Sequence, residues 1–322
     1  MGASEQPLVP VDPGNVEDVL QAEMTRLASL IHNHTPHDGV FAQQIPGLYL
    51  GRSSRIDAEY VHTVHSPAVG IAAQGAKVVT VGNERYQYSG WRIFMAPVAL
   101  PVAMRTTQAS DTEPFLAVRL DLDPQRVGEL ALKIYPQGLP PVRRWRAGYV
   151  VNADFGTLNA FSRLVECLSD SSDMELLAPL VMDEILIRLL RSPIGVHVAE
   201  MGLVNSSVQR VAKAIAWLQE NFALNMKVAD LAELVHMSVS SFREHFKSVT
   251  SMSPLQYQKA LRLQEARRLM LSNQLDATTA CRLVGYVSDS QFNRDYRRFF
   301  GSPPNRDITK LRRQAQIAVL SG

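Results

Sequence analysis

Near its carboxyl end the chain repeats itself imperfectly, and this restricts the fold more than any single motif does. In the first copy, residues 228–235 (VADLAELV) have the spacing of a short amphipathic helix. His236-Met237 turns the chain, and Ser238 opens a second helix carrying Phe242 and Phe246. In the second copy, residues 277–284 (ATTACRLV) are the short helix, Gly285-Tyr286 the turn, and Ser288 opens a helix with Phe292 and Tyr296. The offset is 49 residues between Ala232 and Cys281 but 50 between Ser238 and Ser288, so the second turn has gained one residue. A small residue in each first helix lets the second cross it closely, and an N-cap serine satisfies the start of that second helix. Each copy therefore predicts a helix-turn-helix.

The outer faces of the second helices carry the chemistry. With Phe242 and Phe246 inward, Ser240, Arg243, Glu244 and Lys247 point out. With Phe292 and Tyr296 inward, the outward set is Ser290, Gln291, Asn293, Arg294 and Arg297. Arginine and glutamine reach base edges in a major groove, and serine adapts to base or phosphate. One such face is ordinary helix surface; two in register point to duplex DNA. Between the copies, Ser253-Pro254 places an N-cap before a proline at the first helical position, starting a connecting helix that reaches about residue 271. About 17 residues at 1.5 Å each span roughly 25 Å, short of the ~34 Å groove repeat. Such a connector implies tilted recognition helices, bent DNA or one helix engaged at a time, and bending is the expectation.

Charge agrees with that placement. The net charge of +2 hides an asymmetry: residues 1–204 hold 22 acidic and 16 basic side chains, the remainder 9 and 17. A basic half on a near-neutral chain suits a polyanionic partner. The 322 residues, 46% apolar and 20% charged, suffice for two domains with their own cores. No apolar run approaches the roughly 18 residues of a membrane span; residues 94–104 are the most apolar and are cut by Pro97 and Pro101. MGASEQPLVP lacks the basic and apolar regions of a signal peptide. Cys167 and Cys281 match no metal or redox spacing, so a reducing cytoplasm is the expected location.

Residues 1 to about 15, with Pro7, Pro10, Pro13 and Gly14, read as a frayed leader. Residues 16–33 have helical spacing, with Glu17, Asp18 and Glu23 assigned to the outer face. From about 39 to 122 short β-branched and aromatic runs alternate with turn residues: 48–50, 68–73, 77–81, 85–88, 91–95, 102–106 and 115–122. Gly82-Asn83 is a hairpin turn between two of them. Many short strands at this spacing favour an antiparallel sandwich or barrel. Helices are expected at 124–135, at 154–169 (Phe155, Leu158, Phe161, Leu164, Val165 and Leu168 on one stripe) and at 178–190 (Leu180, Val181, Ile185, Leu186 and Leu189). Those stripes either pair in a dimer or pack on the barrel, with dimerisation favoured. Residues 193–205 read as a linker or short helix, and the chain then stays helical to about residue 300. The domain boundaries are 1–38 (leader and helix), 39–150 (barrel), 151–200 (helical packing region) and 205–322 (paired helix-turn-helix units).

Several of these residues coincide with a family signature. Leu231-Ala232, Met237-Ser238, Phe242, Phe246-Lys247, Ser253-Pro254, Tyr257, Arg262-Leu263, Ala266, Val284-Gly285-Tyr286, Ser288, Ser290-Gln291-Phe292, Arg294 and Phe299-Phe300-Gly301 resemble the AraC/XylS family of bacterial transcription regulators. The match runs from about residue 208 to 304. Gln74-Gly75-Ala76-Lys77, Gly82, Tyr86-Gln87-Tyr88 and Pro97 with Leu100-Pro101-Val102 are similar to the regulatory domain of one AraC subgroup. The resemblance implies an α+β chain: an N-terminal cupin-like antiparallel β-barrel with accessory helices, then an all-α domain of two helix-turn-helix units joined by a long helix. It implies base reading by Ser240, Arg243 and Glu244 and by Ser290, Gln291 and Arg294. Ser238, Ser241, Ser288 and Asn293 complete the DNA-binding set, with Lys247, Arg297 and Arg298 on phosphates. Promoter DNA, a small-molecule effector, RNA polymerase for an activator and a second copy of the chain are the implied partners. Three positions depart from the pattern: Glu244 where relatives carry a basic or amide residue, Ser251 in place of glycine, and Cys281 in place of alanine.

The rival readings are a cupin-type metalloenzyme carrying a DNA-binding tail and, behind it, an architectural DNA bender. His62 and His65 are three apart, on opposite faces of a strand, and His32, His34 and His37 read as solvated residues, so no metal or cofactor is expected. Barrel-interior candidates are Val69, Ile71, Val79, Val81, Tyr86, Tyr88, Phe94 and Val102, each equally explained as core, with Trp91 and Tyr60 read as packing residues.

Overall fold

The structure, a computed structural model, describes residues 13–141 and 144–320. Most of the expected leader lies outside the described residues. Helix α1 (Pro13–Asn33) is followed by strands β1 (Gly39–Ala42), β2 (Leu48–Ser53), β3 (Val61–His65), β4 (Ala68–Gln74), β5 (Ala76–Val81), β6 (Glu84–Ser89), β7 (Arg92–Ala96), β8 (Leu100–Gln108) and β9 (Phe115–Asp121). After α2 (Pro124–Ile134) comes the last strand, β10 (Tyr149–Asn152). The helices α3 (Phe155–Glu166), α4 (Ser171–Leu176), α5 (Ala178–Leu190) and α6 (Gly195–Gly202) lead into α7 (Ser207–Asn221). The repeat supplies α8 (Val228–Leu234), α9 (Val239–Thr250), α10 (Pro254–Ser272), α11 (Ala277–Leu283) and α12 (Asp289–Phe300), and α13 (Pro304–Leu320) follows.

The strands form two antiparallel sheets, in the orders β1-β2-β9-β4-β7-β10 and β3-β8-β5-β6. The expected barrel is therefore not closed; the N-terminal half is a two-sheet sandwich. Gly82-Asn83 makes the two-residue turn between β5 and β6, with Val81 opposite Glu84 and Gly82 at φ 56°. Register decides which side chains face inward, because directly paired residues share a face. Phe94 pairs with Gly70, and Gly70 with Arg119, which places Gly70, Phe94 and Arg119 between the sheets. Val69 and Ile71 have the opposite parity. They point to the outer face, which α1 covers, so these two candidates for the interior are corrected. Val79, Val81, Tyr86, Tyr88 and Val102 share the inward face of the smaller sheet, and Tyr86 and Tyr88 pack on Phe94.

Helix α1 packs on β4, β9 and α3. Its buried stripe is Leu20, Met24, Leu27 and Ile31, and Glu23 lies beside it rather than on the outer face. Glu23 sits three residues after Leu20 and four before Leu27, and it is held by Arg26 at 3.2 Å. Leu158, Phe161, Leu164, Val165, Val181, Ile185 and Leu189 are buried within the chain, where α3 packs on α1 and α5. Phe155 and Leu180, assigned to the same stripes, are exposed. Of the two readings of residues 193–205 the structure has the short helix, α6; its Val198 and Ala199 are fully buried where it packs on α2 and α7. Helical structure also runs past residue 300, into α13.

The cores do not divide where the composition changes. One apolar cluster runs from Leu20 through the sandwich and the first helix-turn-helix to Leu261, and a second, from Leu263 to Ile308, belongs to the second unit. The break falls inside the connecting helix α10.

Candidate nucleic-acid interface

The two second helices are built alike. Ser238 and Ser288 cap them by accepting from the amides of Ser241 at 3.2 Å and Gln291 at 3.3 Å. Phe242, Phe246, Phe292 and Tyr296 are buried beneath. Above them, Ser240, Arg243, Glu244 and Lys247 on α9 are exposed, as are Ser290, Gln291, Asn293, Arg294, Arg297 and Arg298 on α12. Ser238 and Ser288 are exposed too, although their hydroxyl oxygens already serve the caps. Ser241 is half-buried, its hydroxyl 3.3 Å from His245 Nδ1, which sets it apart from the rest. Each helix thus offers one polar, largely basic stripe over an aromatic anchor.

A single arginine ties the two units together. Arg262, midway along α10, donates to the carbonyls of Phe222 at 2.7 Å, Ala223 at 3.2 Å and Leu224 at 2.9 Å after α7, and to Gly285 at 3.1 Å in the second turn. Gly285, at φ 83°, lies so close to the Ala223 carbonyl that a Cβ has no room. Ser253 and Gln256 form a capping box at the start of α10. In the second unit Asp307 accepts from Arg267 at 2.8 and 2.9 Å and from the Tyr296 hydroxyl at 2.7 Å. These bonds fix α12 on α10 and α13.

The sandwich touches both units. Ser251, left-handed at φ 56° where the family pattern has glycine, donates its hydroxyl to Glu84 Oε1 at 2.6 Å. The Tyr257 hydroxyl donates to the Ala99 carbonyl at 2.8 Å, and Gln264 to Thr63 at 3.1 Å. His62 packs on the rings of Phe299 and Phe300, 5.2 and 4.9 Å between centroids, and burial lowers its pKa to about 4. Lys310 pairs with Glu59. Beside α9 a cleft of about 660 Å³ is lined by Arg85, Arg144 and Arg146 of the sandwich half and by Glu244, His245 and Ser248.

Comparison with known proteins places this architecture. The model for the N-terminus of AraC-type transcriptional regulators matches residues 44–197, and a helix-turn-helix domain model matches residues 231–309. The chain belongs to the AraC/XylS family. It is similar to the transcriptional activator RhaS of Pectobacterium carotovorum, 29% identical over 110 residues covering 34% of this chain and 38% of RhaS. It is also similar to the regulator ExsA of Pseudomonas aeruginosa, 28% identical over 131 residues, 41% of this chain and 47% of ExsA. The chain thus matches less than half the length of these curated relatives. Among solved structures, ToxT from Vibrio cholerae superposes with a TM-score of 0.54 at 11% identity, over 81% of this chain and 97% of ToxT. A second ToxT structure, with unsaturated fatty acid bound, gives 0.52 at 12% identity over 83% and 97%. At these identities the likeness is one of fold.

Within the AraC/XylS frame, the three departures have structural settings. Glu244 lines the arginine-bearing cleft, Ser251 is anchored by Glu84, and Cys281 is buried, its thiol pushed up to about 11 chiefly by that burial. Cys167 is buried as well, and its thiol is likewise raised. Among the described residues no three His, Cys, Asp or Glu side chains come together as metal ligands, and no helix is long and apolar enough to cross a membrane. Sequence reasoning missed Val287, fully exposed immediately before Ser288, and Arg85, Arg144 and Arg146 beside α9. The basic run at residues 143–146 was the available signal for the last two; nothing local marks Arg85 as lying near a helix more than 150 residues away.

Proposed function

We propose that the chain is a transcription regulator that reads promoter DNA with α9 and α12 and responds to a small molecule through its sandwich half. The observation that carries this reading is the pair of capped helices, each exposing a basic, hydrogen-bonding stripe over a buried aromatic pair and each fixed to the same connecting helix. Arg243, Glu244 and Ser240 would read bases from the first unit, and Arg294, Gln291 and Ser290 from the second. Ser238, Ser241, Ser288 and Asn293 complete the contact set, and Lys247, Arg297 and Arg298 anchor phosphates. Val287 is placed to meet a thymine methyl.

Glu244 accepts from cytosine N4 when engaged, and it repels phosphate when the register is wrong. The first unit shares its core with the sandwich, so a change in the sandwich reaches α9 through Glu84 and Ser251. ToxT, which shares the fold, has been solved with a fatty acid bound, and this supports an effector-responsive N-terminal half. The reading makes the chain a cytoplasmic, non-enzymatic protein. Its further partners are RNA polymerase, where it activates, and a second copy.

Selection of bound sequences from a random duplex library with the purified chain tests this. The expected result is a site with two conserved blocks, one of which loses its preference in Arg243→Ala and the other in Arg294→Ala. Recovery of unrelated sequences without a motif would overturn the reading.

A further inference from the structure

The interior of the sandwich holds more positive charge than the described residues neutralise. Lys77 pairs with Tyr88 on β6 and Thr106 on β8, which turns it inward, and its Nζ lies 4.4 Å from the centre of the Phe115 ring. Among the described residues no carboxylate makes an ion pair with it; Asp57, whose field reaches it, instead accepts from the Thr106 amide at 2.6 Å. Arg119 faces it from β9, stacked 3.9 Å from the Tyr49 ring centre and 3.2 Å from Asp121. Its Nε is buried with no acceptor. His65 lies with them, and burial and the two cations depress its pKa to about 4, so it stays neutral.

Between these groups is a cavity of about 80 Å³. It exists because inward positions of the larger sheet are small: Gly51, Gly70 and Ala117 face Lys77, Tyr88 and Met104. Lys77 is half-buried, and an ammonium held largely out of water without a counter-ion is costly; so is a buried donor without an acceptor, as at Arg119 Nε. Burial accordingly pushes the Lys77 ammonium below its ordinary range.

We propose that this cavity binds a small organic carboxylate, its anionic end on Lys77 and on Arg119 Nε and its apolar body against the Phe115 and Phe94 rings. The site deepens the effector reading above and rests on it only for its regulatory meaning. One carboxylate answers both unmet demands at once: it neutralises Lys77 and accepts from Arg119. The aromatic walls favour an anion with a hydrocarbon body over an inorganic one. At about 80 Å³ the cavity's size favours a short aliphatic acid over a ring.

Calorimetry and thermal melting of the full chain with acetate, butyrate and benzoate test this, with butyramide, benzamide, chloride and phosphate as controls. At least one carboxylate should bind about tenfold or more tightly than its amide. Lys77→Met should melt higher than the parent chain and lose that binding by a similar factor. Gly70→Ala should also weaken it by narrowing the cavity; the new Cβ meets only the Val118 carbonyl at 3.5 Å, an ordinary contact, and an unchanged melting transition checks that the fold is kept. The proposal is overturned if the amides bind equally, if no carboxylate binds, if phosphate or chloride alone protects, or if both variants bind as the parent does. Duplex DNA binding measured on the same preparations separates the two ideas. DNA binding without carboxylate binding refutes the site alone, whereas carboxylate binding without DNA binding refutes the regulator and leaves the site.

Discussion

Replacing Arg262 by methionine keeps the aliphatic stem and removes the guanidinium that joins the two helix-turn-helix units. Gln258 also donates to the carbonyls of Phe222 and Leu224, at 3.0 and 2.9 Å, so those two retain a partner. The carbonyls of Ala223 and Gly285 lose the side-chain donor they have. Leaving a buried acceptor unpaired costs about 1–3 kcal/mol. Ala223 and Gly285 are both half-buried, so water meets part of that cost, and the variant no longer has a guanidinium to desolvate; the net loss is about 1–2 kcal/mol. Because the second unit has its own core, the loss should be local. Hydrogen exchange read by mass spectrometry should show faster exchange in the segments around residues 222–225 and 285–287, with the sandwich unchanged. Arg262→Lys should recover little, since one ammonium cannot replace a planar fork that reaches four carbonyls. A local change below about 1 kcal/mol, or full rescue by lysine, would show that the clamp does not set the stability of this junction.

Other consequences are open to measurement. Arg294→Ala should cost about 1–3 kcal/mol at the selected site and relax one base preference, whereas Arg297→Ala should weaken all sequences alike and reduce the salt dependence of binding by about one phosphate. Gly82→Ala should destabilise by roughly 1–3 kcal/mol, because φ is 56° and the new Cβ would lie 2.6 Å from the Ser251 carbonyl oxygen; thermal melting reads this. His62 and His65 both have pKa values near 4 in the fold against 6.5 in the free side chain. The unfolded chain binds the extra protons between those values, so stability should be full above pH 6.5 and fall as the pH drops toward 4. His62→Gln should flatten that slope in urea titrations. Helix α10 spans 19 residues, about 28 Å and still short of the groove repeat, so energy transfer between labelled DNA ends should report bending when both units engage.

What the sequence made legible was local. The serine caps, the aromatic pairs four apart and the Ser-Pro start are short-range signals, and the paired helices stand within a residue or two of their expected places. Strands β1, β3 and β10 escaped because each is short and without a clean alternation; β1 is almost wholly exposed. Helix α13 escaped because its residues are mostly polar, yet Asp307 within it is buried by Arg267 and Tyr296. Glu23 was misplaced because a helical stripe is wider than its apolar members, and a carboxylate at its margin can be covered by its own salt bridge. The sandwich interior could not be assigned from composition at all. Whether Lys77 or Val78 faces inward depends on pairing with β6 and β8, and that register is a long-range fact.

Hydroxyl-radical footprinting of the full chain on its selected site, beside Arg243→Ala and Arg294→Ala, bears most directly on the claim that α9 and α12 enter neighbouring grooves. Two protected stretches about ten base pairs apart on one face of the duplex are predicted, one weakened by each substitution. A single protected stretch, or two that both substitutions leave intact, would contradict it.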